Sequence, residues 1–225
     1  MHVYGGVVSP FVQRVLMTAR AKGHELKLDG IPGASIQSPE FQAISPMGRI
    51  PLLELDDGRR ICESSAIAAY LDETLDGPAL LPGDPLERAR VREIEAIATL
   101  EYATGMRPIM VHVVFGRPDS GAVADTARAQ AEKGADVLDA MLAKSRAYAV
   151  GDTLTLADCI LAPGLNLALV VDQVAGTGSL VNGRPNLAAY FARMCDDPVA
   201  GRSIAEMRDG FAAMLARNAA AAPAA

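Results

Sequence analysis

The fold is decided by a stretch that runs Ser45-Pro46-Met47-Gly48-Arg49-Ile50-Pro51-Leu52-Leu53. Its first half has the composition of a loop, and its last residues have the apolar pattern of a strand. Proline has no N–H for a strand ladder, so Pro51 belongs at a strand start or at a sheet edge. The Ile50–Pro51 bond can be trans, as most such bonds are, or cis, which would turn the Ile50 backbone outward. The stretch therefore predicts a strand start with an edge able to accept a peptide.

Short strands and helices alternate on both sides of this stretch. Strands are predicted at 3–4, 25–28, 50–55 and 59–62, and helices at Pro10–Lys22, from Ser38 and after a Ser64-Ser65 cap. Asp56-Asp57-Gly58 predicts a hairpin turn between the last two strands. The order βαβ followed by ββα makes residues 1–77 an α/β domain.

The pattern becomes helical after residue 77. Glycine and proline punctuate a predicted linker at 78–85, where Asp84 as N-cap and Pro85 as first helical residue open the next helix. Helices are predicted at about 86–115, 121–146, 155–172, 186–196 and 203–217. Residues 86–225 are thus expected to form an all-α domain, with a frayed alanine-rich tail after Asn218.

Composition excludes several classes of function. The 225 residues are 50% apolar and 21% charged, with a net charge of −6, which favours a large core over disorder. No basic cluster is long enough to bind nucleic acid, and no run approaches the roughly 18 apolar residues of a membrane span. Three widely spaced cysteines and three histidines give no metal-binding pattern. We expect a cytoplasmic protein that binds neither metal, membrane nor nucleic acid.

Two predicted helix N-termini carry residues that could bind a ligand. Ser9 precedes Pro10, so its hydroxyl lies at the positive end of a helix, where an anion is favoured. Glu63 and Ser64 together could bind an ammonium and a carboxylate, the two charges of an amino-acid headgroup. In each case the residues could instead serve only as caps or dipole partners.

A third helix start has a structural interpretation. Thr155 and Asp158 have the S/T-x-x-D spacing of a capping box and precede an apolar helix. Such a box satisfies backbone N–H groups that the helix leaves without partners. We therefore predict that Asp158 stabilises the fold and takes no part in chemistry.

The order and spacing of these motifs resemble those of the cytosolic glutathione transferases over almost the whole chain. The resemblance is carried by Ser9-Pro10-Phe11, by the loop of residues 45–53, by Glu63-Ser64-x-Ala66-Ile67 and by the Thr155–Asp158 box. It implies a thioredoxin-like N-terminal domain with a cis-proline, an all-helical C-terminal domain and a homodimer. It also implies glutathione as co-substrate. The serine suggests the phi, tau, zeta and theta-like classes.

The resemblance also assigns roles to individual residues. Ser9 matches the serine that donates a hydrogen bond to the glutathione sulfur, and Ile50, before Pro51, matches the residue whose backbone pairs with the cysteinyl part. Glu63 and Ser64 match the pair that holds the γ-glutamyl amine and carboxylate. Gln37 and Arg49 fall near the glycyl end. The chain departs from the family at Ser45, where Asn is usual before the proline.

Tyr4 is the alternative to Ser9, because tyrosine-type classes use a tyrosine near the end of the first strand. Tyr4 precedes the predicted turn by several residues, whereas Ser9 lies at it. A thiolate is best stabilised at a helix N-terminus, which favours Ser9. The cysteine-type classes would need a cysteine at or beside position 9, and the chain has none there.

The implied reaction is attack of the glutathione thiolate on a small hydrophobic electrophile, without a metal. Candidate residues for an electrophile pocket are Phe11, Tyr102, Met106, Met110 and Val113. The last four recur at helical spacing, which a helix core would show equally. A glutathione-dependent isomerase, dehalogenase or ether-cleaving enzyme is a variant of the same chemistry. The alternative to an enzyme is a non-catalytic module of the same fold that binds ligands or proteins.

Overall fold

The computed structural model describes residues 1–115, 122–175 and 180–221. The first part of the chain forms four strands and three helices: β1 (His2–Tyr4), α1 (Pro10–Ala21), β2 (Lys27–Asp29), α2 (Pro39–Gln42), β3 (Leu52–Glu54), β4 (Arg60–Cys62) and α3 (Ser64–Thr74). The remainder is helical: α4 (Pro85–Ile97), α5 (Thr104–Phe115), α6 (Ala122–Leu142), α7 (Leu156–Ala175), α8 (Pro185–Asp196) and α9 (Ala200–Ala221). A 3₁₀ turn at Pro32–Ala34 and a π-helical turn at Ala98–Ala103 complete the described elements.

The four strands form one mixed sheet in the order β2-β1-β3-β4. β1 and β2 are parallel and are joined by the α1 crossover, whereas β3 is antiparallel to both β1 and β4. Val3 pairs with Leu53, and both are fully buried against α1 and α3. Successive strand side chains alternate between faces, so His2 and Tyr4 point to the other face of the sheet. The predicted thioredoxin-like arrangement is confirmed.

Three of the four strands are shorter than the sequence pattern predicted, and β1 is one residue longer. β2 covers Lys27–Asp29 and not 25–28, and β3 begins at Leu52 and not at residue 50. The second difference follows from Pro51, which cannot donate a ladder hydrogen bond. The hairpin turn is as predicted, with Gly58 at a positive φ of 82°.

Residues 85–115 run through two helices and the π-helical turn between them, in agreement with the single long helix predicted there. Asp84 caps this run as predicted, because its Oδ1 accepts from the backbone N–H groups of Leu86 and Glu87 at 2.9 Å. Gly105 permits close packing of α6, since a Cβ at this position would lie 2.9 Å from the Ala127 carbonyl oxygen. α9 continues to Ala221, beyond the end predicted at residue 217, and the rest of the predicted frayed tail lies outside the described residues. Alanine is the best helix former.

The buried apolar side chains of α4 to α9 form a second cluster, the helical core, apart from the core between the sheet and α1 and α3. α7 is the central helix of the helical core. Its residues Leu156–Val174 are long and apolar enough for a membrane span, contrary to the sequence analysis, but 78% of an 18-residue window in it is buried inside the protein. A core helix meets the same length and composition criteria. The burial therefore assigns α7 to the interior of a globular fold.

α1 packs against both parts of the molecule. Its Val12, Val15 and Leu16 join the sheet core, while Met17 belongs to the helical core. Arg14, only 1% exposed, pairs with Glu95 of α4. The helix that begins at Ser9 is therefore fixed by contacts with both cores.

Candidate active site

The register of the sheet brings three of the predicted motifs to one edge, namely the edge at which β1 and β4 end and β3 begins. Tyr4, the last residue of β1, pairs with Leu52, the first of β3, and Leu52 pairs with Cys62, the last of β4. The loop to Ser9 leaves β1 at this edge, the Ile50–Pro51 bond enters β3 there, and Glu63 leaves β4 there. Residues far apart in the sequence therefore surround one edge of the sheet.

Ser9 is the N-cap of α1, with Pro10 at the first helical position, as predicted. Its Oγ accepts from the Val12 N–H at 3.4 Å, beyond the normal range for such a bond. No group in the described part of the chain accepts a hydrogen bond from this hydroxyl, and the residue is half-buried. The cap is thus weak, and the hydroxyl proton is available to a ligand.

The Ile50–Pro51 bond is cis, which confirms the prediction. The loop before it is organised by Ser45, which is 1% exposed and whose Oγ donates to the Arg49 carbonyl at 3.1 Å. The same oxygen accepts from the Arg49 N–H at 3.3 Å. A serine can therefore bridge this loop from the inside, at the position where the resemblance implies an asparagine.

Glu63 has a backbone conformation that is rare for an L-residue, with φ 67° and ψ 116°. It occupies the N-cap position of α3, yet its side chain makes no capping hydrogen bond and is exposed. The predicted capping by Ser64 and Ser65 is wrong, because α3 already begins at Ser64, whose side chain is buried. Strain of this kind persists where the surroundings impose it and is frequent at binding sites.

Gln37 and Arg49 are both exposed, in the loops before and after α2. The Gln37 Oε1 accepts from the Ser35 hydroxyl at 2.7 Å, which ties the side chain to its own loop. Arg49 has no ion pair with any residue that the structure describes. Arg49 is therefore the freer of the two to meet a ligand.

Tyr4 lies on the face of the sheet opposite to α1. Its ring stacks edge-on against His2, with the centroids 4.9 Å apart. His2 in turn contacts the carboxylates of Asp29 and Glu54. Tyr4 therefore belongs to a polar cluster on the outer face of the sheet, whereas Ser9 lies at the N-terminus of the helix on the inner face.

The residues predicted for the electrophile pocket differ in burial. Tyr102 and Met106 are 0% and 1% exposed and belong to the helical core, and their part in a pocket stays a prediction. Helical periodicity could not separate the two roles, because core and pocket residues share one stripe. Phe11 and Met110 are half-buried at the border of this core. The side chain of Val113 lies outside the described residues.

Asp158 is fully buried and accepts four hydrogen bonds. Its carboxylate binds the N–H and hydroxyl of Thr155, the N–H of Ala149 and the hydroxyl of Tyr190, each at 2.8 Å. Burial raises the pKa of this carboxyl, while the four donors act in the opposite direction. The predicted structural role is confirmed and extends to α8 through Tyr190.

The cysteines and carboxylates of the described segments form no group of three that could hold a metal ion. Cys62 precedes Glu63 at the sheet edge, and burial raises the pKa of its thiol. Burial likewise raises the pKa of the Cys159 thiol, which lies in the core. Both thiols therefore stay protonated at neutral pH.

Comparisons with known proteins agree with this geometry. Residues 8–74 match the model of the glutathione S-transferase N-terminal domain, and residues 120–193 match that of the C-terminal domain. The chain belongs to the glutathione S-transferase superfamily.

Relatives of known name lie in the same superfamily. A glutathione S-transferase of Pseudomonas putida is 27% identical over 215 residues, which are 96% of each chain. The maleylacetoacetate isomerase of Rattus norvegicus is 36% identical over 127 residues, 56% of each chain. The crystal structure of a glutathione S-transferase from Methylobacillus flagellatus with glutathione bound is 25% identical, with a TM-score of 0.73. It covers 90% of this chain and 98% of its own.

Proposed function

We propose that this protein is a glutathione transferase of the serine type, which activates the glutathione thiol for attack on a small, largely apolar electrophile. The observation that carries the proposal is the Ser9 hydroxyl, a weak cap with an unused proton at the N-terminus of α1. It lies at the same sheet edge as the cis Ile50–Pro51 bond and the strained Glu63. Family membership supports glutathione as the thiol.

The energy required of Ser9 is modest. A free thiol has a pKa near 8.5 and is only a few per cent ionised at pH 7. Lowering the pKa to about 6.5 requires about 2.7 kcal/mol of differential stabilisation. One hydrogen bond to the thiolate and the positive end of α1 can together supply it. The sulfur then forms a bond to the electrophilic carbon, and the leaving group departs with the bonding electron pair.

The other site residues hold the tripeptide. The Ile50 backbone would pair with the cysteinyl unit, beside the ring of Pro51. Glu63 would bind the γ-glutamyl ammonium, and Ser64 its carboxylate at the N-terminus of α3. Arg49, with Gln37 in a lesser role, would meet the glycyl carboxylate. The electrophile would lie against Phe11 and Met110, which are half-buried beside the helical core.

The test is a thiolate titration of the enzyme-bound glutathione, followed by absorbance near 240 nm. Ser9→Ala should raise the pKa of the bound thiol and lower turnover at neutral pH, while the affinity for glutathione changes little, because the headgroup contacts serve thiol and thiolate equally. Tyr4→Phe is the matched control and should leave the titration unchanged. A shift with Tyr4→Phe but not with Ser9→Ala would transfer the role to Tyr4, whereas no shift with either would leave the helix N-terminus as the activating element.

A glutathione-dependent isomerase is the second candidate, favoured by the 36% identity to a maleylacetoacetate isomerase. The same thiolate would add to a conjugated double bond and leave after rotation, so that glutathione is regenerated. Turnover without net loss of glutathione thiol would favour it over conjugation.

A cytoplasmic homodimer is part of the proposal. The non-catalytic alternative predicts a protein that binds glutathione-agarose weakly or not at all and shows no turnover of a chloro-dinitro-arene.

A further inference from the structure

The loop between β1 and Ser9 is held from within by α1. Gln13, one turn into the helix, is fully buried, and its Nε2 donates to the Val7 carbonyl at 2.9 Å. The Ser9 N–H donates to the Gly6 carbonyl at 3.0 Å and closes the turn. The backbone that carries the Ser9 hydroxyl is therefore fixed two residues before it.

The same loop is held from outside by α9, at a point where that helix has no side chain. A Cβ on residue 210 would lie 2.5 Å from Cγ1 of Val7 and 3.0 Å from Cγ1 of Val8. Distances below 3.0 Å require a neighbour to move. Gly210 thus lets the Val7 and Val8 side chains sit directly on the α9 backbone.

α9 is itself fastened to α1 on the same helix face. Arg20, near the end of α1, donates to the buried Ser203 hydroxyl at 3.0 Å and to both Glu206 carboxylate oxygens at 2.9 Å. Ser203, Glu206 and Gly210 follow the i, i+3, i+7 spacing of one face. The two contacts fix both α9 and the loop relative to α1.

We propose that α9 is a positioning element for Ser9, and that Gly210 and Gln13 are positioning residues for the thiol-activating hydroxyl. The Val7-Val8 turn is clamped between the Gln13 amide and the Gly210 backbone, so its place determines where the Ser9 Oγ lies. A displacement of about 1 Å in a reacting geometry can cost about 100-fold in rate. This inference rests on the proposed role of Ser9 and extends it to the last helix of the chain.

The test is a double-mutant cycle between α9 and the loop. Gly210→Ala should raise the pKa of the bound thiol by about half a unit or more and lower kcat about tenfold, with KM for glutathione within about twofold. Adding Val7→Ala removes the Cγ1 that the new methyl group meets and should restore most of kcat and of the titration. Ala212→Val, at an exposed position on the face of α9 opposite to Gly210, is the matched control and should change none of these values.

Gln13→Met offers a second route to the same readout, because it keeps the length of the side chain and removes the donor to Val7. It should raise the thiol pKa in the same direction as Gly210→Ala. An unchanged thiol pKa in both folded variants, with a loss of unfolding free energy only, would overturn the inference. So would a Gly210→Ala defect that Val7→Ala does not relieve. Wild-type protein that binds glutathione without lowering its thiol pKa would instead overturn the proposed function.

Discussion

α1 and α7 each follow a hydroxyl-bearing residue in the sequence, Ser9 and Thr155, but the polar groups at the two N-termini differ in burial and hydrogen bonding. At α7 the Asp158 carboxylate is fully buried and accepts four hydrogen bonds, each at 2.8 Å. At α1 the half-buried Ser9 hydroxyl accepts one bond at 3.4 Å. Where the fold satisfies every polar group, the helix end contributes stability. Where the cap is weak, donors remain for a ligand.

The N-terminus of α3 extends this comparison. Glu63 stands in the cap position without capping, in a backbone conformation with φ 67°. Holding a non-glycine residue there costs on the order of 1–3 kcal/mol. Both proposed ligand-binding helix ends, α1 and α3, therefore give up capping energy that α7 retains.

The largest effect on stability is expected at the N-terminus of α7, where Asp158 accepts its four hydrogen bonds. Asp158→Ala leaves four donors without an acceptor in the core, and each buried unsatisfied group costs about 1–3 kcal/mol. The unfolding free energy in urea should fall by at least about 3 kcal/mol, while the thiol pKa of the folded fraction stays at the wild-type value. Asp152→Ala is the control, because its ion pair with Arg146 is exposed and worth little. Normal stability with lost activity would contradict the structural role of Asp158.

An intermediate effect is expected at Glu63, and two substitutions separate its two roles. Both Glu63→Ala and Glu63→Gly should weaken glutathione binding by about 2 kcal/mol, because both remove the carboxylate that we propose binds the γ-glutamyl ammonium. Only glycine adopts the positive φ of residue 63 without steric strain. The Gly variant should therefore be more stable than the Ala variant by about 1 kcal/mol. Calorimetry gives the affinities and urea unfolding the stabilities. Undiminished affinity in both variants would remove Glu63 from the site.

The smallest effect is expected for the stability of Ser9→Ala. A long hydrogen bond at a half-buried cap contributes little, so the loss of unfolding free energy should be below about 0.5–1 kcal/mol. Asp84→Ala provides the comparison, because the Asp84 carboxylate accepts two cap bonds at 2.9 Å and its removal should cost about 1–2 kcal/mol. If Ser9→Ala were the more destabilising of the two, Ser9 would be a structural cap like Asp158.

The positions of most elements could be predicted from local signals. Asp84-Pro85, Ser9-Pro10 and the Asp56–Gly58 turn each act within a few residues, and the structure places a helix or hairpin at each. Some strand bounds and the cap of α3 were predicted wrongly. The bounds of β2 were wrong because a ladder ends where its partner strand ends, and the start of β3 was wrong because Pro51 cannot donate a ladder hydrogen bond. The pocket role of Tyr102 and Met106 stays a prediction, because periodicity shows which face of a helix is apolar and not what covers that face.

Local patterns in the sequence specify the alternation of strands and helices, the caps at Ser9 and Asp84 and the set of candidate site residues, because these depend on side chains and backbones a few positions apart. Which of the candidates lie together depends on tertiary contacts. Strand register brought Ser9, Ile50 and Glu63 to one edge of the sheet and put Tyr4 on the other face. The contact of Gly210 with Val7 joins residues about 200 positions apart, and no local pattern marks it. Long-range packing assigns such roles, since each partner alone resembles an ordinary helix or loop residue.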